Sequence, residues 1–510
     1  MFVRRKKNRS GSTTVVVISK HHGRFKEVQN LGTSSDPAEI DHMVQEARKW
    51  IETSGGLQQP LDLWPEERKL SSDEIFGSIA AIHQDGAYRL LERVYDSIGF
   101  NRVGDAILKD LAIARVCEPM SKLATIDYMR RHWRQDYHYQ QIYRYLDELY
   151  DTQKESVLRV SVEHTREILG GAITMAFYDV TTLYFESFRE DSLRTPGFSK
   201  DGKTAETQVV LGLLVSRDGY PLAYSLFNGA QFEGRTMIPI VDDFIQRYSI
   251  SDFVLVADAG LMSDKNLSLL RLGGYKYIIG ARIKKENKAI QKWLLSLDKD
   301  EKKLHEQKKS NGDRLIVSFS EKRADKDAFN RDRGVKRLQK SYASGRITKD
   351  KINKRGYNKF ITISKDVEVV INQEKIDEDA KWDGLKGYLT NTELAAQEVI
   401  AQYHGLWVVE RAFRVMKGTL DTRPMFHFTE RRIEAHVCLC FVALKVYKEL
   451  ERILKSVKFD LSVDKTLEIA KAISSLTINL PNGEQKTQMI FLTDEQRRLQ
   501  SLYEMLDIAP

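Results

Sequence analysis

Residues 172–188 read AITMAFYDVTTLYFESF, with apolar and β-branched side chains on both faces of an extended chain. A run of this kind is a strand buried on both sides, and it belongs inside a sheet that is covered above and below. Asp179 interrupts it. Aspartate is a poor strand former, and its charge is costly to bury unless it is paired or binds a cation. The run contains no Lys, Arg or His that could serve as a local partner.

The segments that follow define the sheet. TQVVLGLLVS and YPLAYSLFNG are two strands joined by a hairpin turn at Asp218-Gly219. The helix EGRTMIPIVDDFIQRYS leads to a short buried strand, FVLVAD, which ends at Asp258. A Ser263-capped helix, SDKNLSLLRLGG, and the strand KYIIGAR complete the series. The order β-β-β-α-β-α-β is that of a ribonuclease H-like mixed sheet, so the expected class is α/β. In that order the first strand lies beside the strand after the first helix, making Asp179 and Asp258 neighbours. An aspartate at a strand end is ordinary turn chemistry. The carboxyl ends of strands are also where open α/β sheets place their ligands.

A third acid lies far downstream. Tyr403 to Lys417, YHGLWVVERAFRVMK, reads as one helix with an apolar stripe of Leu406, Val409, Phe413 and Met416. Tyr403, Glu410 and Lys417 fall seven apart on an adjacent stripe. An ion pair with Arg411 or Arg414 is the ordinary reading of Glu410. The alternative is a third carboxylate docked on the sheet, and three converging acids are tolerable only with cations between them. Oxygen-only ligands favour Mg²⁺, with Mn²⁺ as a substitute. Two such ions about 4 Å apart serve in-line phosphoryl transfer.

The rest of the chain divides by pattern. Residues 1–70 read as a small β-hairpin and helix module, and 71–170 as a mainly helical region. The sheet occupies 171–283, and a basic, β-rich insertion follows over 284–380. The second part of the sheet domain, with the Glu410 helix, covers 381–454. Residues 455–510 form a C-terminal region, a candidate for dimerisation. Net charge is +8 with pI near 9.0, which permits a polyanionic partner. Arg331 to Lys359 carries eleven Lys/Arg against two Asp, a net +9 that exceeds the whole chain's. Arg331, Arg333, Lys336, Arg337 and Lys340 are therefore candidate contacts to a phosphate backbone. A second basic and aromatic cluster, Tyr128 to Leu146, reads mainly as core. Three cysteines give no disulfide framework and suit a reducing cytoplasm. The apolar run near the N-terminus is four residues long, a strand and not a signal peptide. No run approaches the roughly 18 residues of a membrane span.

One motif competes. GFSKDGKT, residues 197–204, fits the phosphate-loop pattern G-x-x-x-x-G-K-[ST], which raises a nucleoside triphosphatase as an alternative. Such a loop needs a strand just before it and a helix just after it. Here REDSLRTP precedes it, and AETQVVLGLLVS after it reads as a strand.

Together these blocks resemble bacterial insertion-sequence transposases of the DDE class. The signature of that family around its last acid is Tyr, two residues, Arg, three residues, Glu, six residues, Lys. This chain supplies Tyr403, Leu406 in place of Arg, Glu410 and Lys417. FYDVTTLYFE matches the first acid and VLVADAGL the second, and the acids lie 79 and 152 residues apart. The blocks RDGYPLAYSLFNGAQFEGRT and TRPMFHFTERRIEAHVCLCFVAL also resemble the family, as does a Ser-Lys-Asp loop at the phosphate-loop match. The resemblance implies a ribonuclease H-like catalytic domain and a metal site of Asp179, Asp258 and Glu410. It also implies DNA contacts from Tyr403 and Lys417, with Arg414 nearby. Double-stranded DNA would be the partner, both as terminal inverted repeats and as target, in a synaptic homodimer. A relic that binds DNA without cutting it is the remaining alternative.

Overall fold

The strand that carries Asp179 lies inside an eight-stranded sheet, as its two apolar faces require. This computed structural model describes residues 1–21, 24–54, 72–197, 205–250, 252–261, 263–344, 356–363, 369–423 and 425–508. The chain forms two compact units, 1–78 and 79–510. The first holds an antiparallel sheet of β1 (Phe2–Lys7), β2 (Thr13–His21) and β3 (Arg24–Ser34), with α1 (Pro37–Ser54) and α2 (Ser72–Gly77). Alternating Val15 and Val17 on β2 meet Val44 and Ala47 of α1 in its core.

The second unit begins with β4 (Ile79–His83) and five helices: α3 (Gly86–Ile98), α4 (Ala106–Cys117), α5 (Lys122–Trp133), α6 (Tyr139–Glu148) and α7 (Lys154–Ile168). The sheet series follows as β5 (Met175–Tyr184), β6 (Gln208–Ser216), β7 (Pro221–Asn228), α8 (Met237–Tyr248), β8 (Val254–Ala257), α9 (Asp264–Leu272) and β9 (Lys276–Ala281). Strands β5, β6 and β7 are antiparallel, whereas β8 joins the other edge of β5 in parallel and β9 joins β8 in parallel.

The next segment departs from expectation. Over 284–380 the described residues form α10 (Lys288–Leu295), β10 (His305–Lys308), β11 (Arg314–Phe319), α11 (Glu321–Ala343), β12 (Ile361–Ile363), β13 (Val369–Ile371) and α12 (Gln373–Ala380). There is more helix here than strand, so the β-rich reading is corrected. The basic stretch from Arg331 starts on α11, a 23-residue helix capped by Ser320 and buried on Arg331, Gly334 and Leu338. Strands β10 and β11 extend the main sheet through β14 (Leu385–Thr390), giving the order β10-β11-β14-β9-β8-β5-β6-β7.

Beyond β14 come α13 (Ala396–His404), α14 (Trp407–Arg414), α15 (Glu430–Ser456), α16 (Val463–Lys471), β15 (Ser474–Asn479), β16 (Gln485–Ile490) and α17 (Asp494–Met505). Strand β15 pairs with β16 and with β4, tying residues 474–490 to the start of this unit. Among the described residues no helix is long and apolar enough to cross a membrane. All three cysteines are buried and unpaired with one another.

Two cores line the sheet. Tyr178, Leu255 and Ala257 face α8 and α9, whereas Phe177, Val256 and Ile278 face α13, α14 and α15. Helix α15 is buried almost throughout from Ile433 to Leu454, and its charged residues are accordingly matched. Lys445 donates to the Ser161 carbonyl at 2.9 Å. Glu449 accepts from the Tyr220 hydroxyl at 2.9 Å and from Arg452 at 2.6 Å. Burial alone would raise its pKa, but hydrogen bonds from His164 and Arg452 hold it at about 2. The ring of Phe441 is fully buried in this core, 5.4 Å from that of Tyr224. Phe441→Ala is expected to cost about 3–5 kcal/mol, read as a lower urea midpoint of the main transition.

Candidate active site

Parallel pairing of β5 with β8 sets Phe177 opposite Val256 and Tyr178 opposite Ala257. One step further along the same register, Asp179 stands beside Asp258. Side chains alternate along a strand. Asp179 therefore shares the face of Phe177, the face covered by α13 and α14. Asp179 is half-buried, and Asp258 lies open just past the end of its strand.

Several groups hold Asp258. The Tyr403 hydroxyl donates to its Oδ1 at 2.8 Å, and the Gly260 amide donates to its Oδ2 at 3.3 Å. Partial desolvation would raise its pKa, but the Tyr403 hydroxyl, the amides of Ala259 and Gly260 and the Lys386 ammonium outweigh it and lower it. Tyr403 reaches Asp258 across Gly280: a β-carbon there would lie 2.5 Å from the tyrosine oxygen. Arg282 braces the same turn, donating to the carbonyls of Ala259 and Gly260, each at 2.8 Å.

The helix of the third acid is not continuous. Helix α13 ends at His404, a turn at Gly405-Leu406 intervenes, and the end of α14 passes into a π-helical turn over Val415–Thr419. Glycine is required at this turn, because a β-carbon on Gly405 would come within 2.7 Å of the Phe177 ring. Leu406, Val409, Phe413 and Met416 are buried as the spacing predicts. Tyr403 is also buried, so the side chain expected by resemblance to meet DNA is committed to Asp258. Glu410 is exposed, and the ion pair expected from Arg411 goes instead to Glu451 at 2.6 Å. Arg414 is exposed and Lys417 half-buried. Leu406, in the family's arginine position, is core.

Asp179 and Asp258 thus form an adjacent, oxygen-only pair, which is the donor chemistry of a hard divalent cation. Among the described residues no three His, Cys, Asp or Glu side chains stand close enough together to hold a metal ion. Glu410 is therefore not drawn into a closed cluster with the two aspartates.

A cavity of about 820 Å³ opens at Asp258 and runs between β9, β14 and α11. Arg282, Lys285, Arg323 and Lys386 line it. Lys386 lies 4.5 Å from the centre of the Tyr403 ring and 5.4 Å from that of Tyr388. Burial, and then Arg323, lower its pKa against the pull of Asp258. Arg331, a predicted DNA contact, also lines the cavity but is buried in a two-pronged ion pair with Asp383. It anchors α11 and is withdrawn as a backbone contact. Arg333, Lys336, Arg337 and Lys340 are exposed along one side of that helix.

Sequence reasoning missed Lys386, Arg282 and Glu233. A β-carbon at Gly260 would lie 3.6 Å from Asp258 Oδ2 and 3.9 Å from Glu233 Oε2, so Glu233 belongs to the rim of this site. The available signals were Arg282 closing KYIIGAR and Lys386 in the otherwise apolar strand LKGYLT. The phosphate-loop match lies, apart from Gly197, outside the described residues. The segment after it enters β6, a fully buried strand, where a nucleotide loop requires a helix.

Comparison with curated proteins returns no match. Among solved structures the chain is similar to a piggyBac transposase in a synaptic complex with hairpin DNA, at 11% identity and a TM-score of 0.38. That match covers 83% of this chain and 75% of the other. The family described as Transposase DDE domain matches residues 173–445, from just before β5 into α15 and across all three acids. The chain belongs to the DDE transposase family.

Proposed function

We propose that this protein is the transposase of an insertion sequence, cutting DNA at terminal inverted repeats and joining the ends to target DNA. The observation that carries the reading is the placement of Asp179 beside Asp258 on parallel strands, beneath the helices that bear Tyr403 and Glu410. The strand order, three antiparallel strands followed by two added in parallel, supports a ribonuclease H-like assignment for the sheet. Asp179, Asp258 and Glu410 would hold the divalent cations, Mg²⁺ or Mn²⁺, with Glu410 completing the set from α14. Two such ions supply activation of a water or 3′-hydroxyl and stabilise the leaving oxygen.

The chain's own residues do the rest. Tyr403 keeps Asp258 ionised and oriented. Lys386, Arg282 and Arg323 set a positive wall beside the acids, suited to the phosphates of the cut strand. Lys417 and Arg414, downstream of Glu410, contact the same strand. The exposed row Arg333, Lys336, Arg337 and Lys340 clamps flanking duplex. The first 170 residues recognise the ends, and two copies assemble in the synaptic complex.

Cleavage of a labelled duplex bearing the element's end, with Mg²⁺ or Mn²⁺ and no ATP, tests the reading. Wild type is expected to cut, whereas Asp179→Asn, Asp258→Asn and Glu410→Gln bind the duplex and fall by at least about a hundredfold in rate. Binding without cutting by wild type would make the chain a relic. Cutting that survives Glu410→Gln would remove that residue from the metal site. In the same assay Tyr403→Phe withdraws a hydrogen bond from the Asp258 carboxylate. Its pKa then rises, and the acidic limb of the pH–rate profile moves to higher pH; an unmoved limb would show that the hydroxyl does not tune the acid. Replacing Arg333, Lys336, Arg337 and Lys340 together by Gln should flatten the slope of log binding constant against log salt by up to about four. Arg331→Met should leave that slope unchanged while lowering stability.

A further inference from the structure

Away from the acid site, two cations are buried with no countercharge among the described residues. Arg115 lies in the last turn of α4, and Lys122 is the first residue of α5. They are each 6% exposed, and among the described residues neither forms an ion pair with a carboxylate. Lys122 Nζ lies 3.4 Å from His436 Nδ1, and His436 Nε2 lies 3.4 Å from the Thr422 carbonyl oxygen. The carbonyl can only accept, so Nε2 carries the proton and Nδ1 accepts from Lys122. Two of the three ammonium protons of Lys122 are left for other partners.

The surroundings deepen the deficit of negative charge. The rings of His427 and His436, both buried, lie 5.1 Å apart. Burial, then Lys122 and Arg115, push His427 down to about 3 and His436 well below its ordinary value, so both are neutral. Burial and Arg115 push Lys122 down to about 7. Arg115, Lys122, His427 and His436 line a cavity of about 160 Å³ together with the first turn of α5 and the exposed ring of Phe426. That helix is 12 residues long, and its N-terminal N–H groups add a positive pole. The acid on the wall, Asp421, is exposed and pairs with neither cation among the described residues.

Burying an uncompensated cation is costly, and two together more so. A tetrahedral oxyanion placed between Arg115, Lys122 and the start of α5 would relieve both. We propose that this cavity is a phosphate-binding site, held by Arg115 and Lys122 and separate from the acid site. The phosphate is either a free anion or one in the backbone of bound DNA, and the second source rests on the transposase reading above.

Thermal unfolding of the full chain at pH 7, in millimolar inorganic phosphate against chloride of equal ionic strength, tests the site without DNA. Wild type should gain about 2–4 °C in phosphate. Arg115→Met and Lys122→Met should melt at or above wild type in chloride, since each removes an uncompensated buried charge, and should show no phosphate gain. Equal shifts in wild type and both variants, or no shift in wild type, would overturn the site. A second measurement, on wild type alone, covers the case in which the variants do not fold. Phosphate should slow acylation of Lys122 severalfold, read by mass spectrometry, and leave exposed Lys303 unaffected; no protection would also overturn it. Salt titration of duplex binding separates the sources. A slope lower by about one in Lys122→Met identifies a backbone phosphate, and an unchanged slope with the phosphate gain lost identifies a free anion. Neither result depends on cleavage, so failure of this site and failure of the catalytic assignment are distinguishable.

Discussion

The hydrogen-bond ladder between β5 and β8 is the interaction on which the rest of this structure depends. It runs in parallel, so it requires a crossover, which the chain makes through β6, β7 and α8. It carries Phe177 and Tyr178 to opposite faces, and each face then needs its own helical cover. Continued by one residue, the same ladder brings two carboxylates side by side. Fold and site are therefore set by one register, and a slip of one residue would put Asp179 on the side of α8 and α9.

Electrostatics around the acids is arranged by neighbours more than by depth. Asp258 is open to solvent, yet it is kept ionised by a hydroxyl, two amides and a lysine. The positive wall is carried by Lys386 on β14, Arg323 on α11 and Arg282 just past the end of β9, so its position follows from the sheet. Arg331, which looks like one more member of that wall, is instead spent on holding α11 to the turn before β14.

How much of this was legible in the sequence follows the range of the interactions involved. Asp179 stood out because a charge in a two-faced apolar strand is a local contradiction, and Asp258 because strand ends are visible in turn chemistry. The element order β5 to β9 could be read for the same reason. The break at Gly405 could not. Its neighbours keep helical spacing, and the ring that demands glycine there, Phe177, is more than two hundred residues away in sequence. Arg331 read as free charge because its partner Asp383 lies 52 residues on. The segment 284–380 read as strand because its few apolar residues are sparse, and α11 buries only Arg331, Gly334 and Leu338. The link of β15 to β4 had no local signal at all.

That last link bears on how the molecule comes into being. Ser475 faces His83, so a strand that opens the helical region waits for a partner placed very late in the chain. Pairings of such long sequence separation close slowly, and domains generally fold in order of synthesis. The edge of β4 therefore stays unpaired while nearly all the chain is made. The region proposed to read DNA ends can take its final form only after the sheet that carries the acids is complete, so timing as well as geometry couples the two.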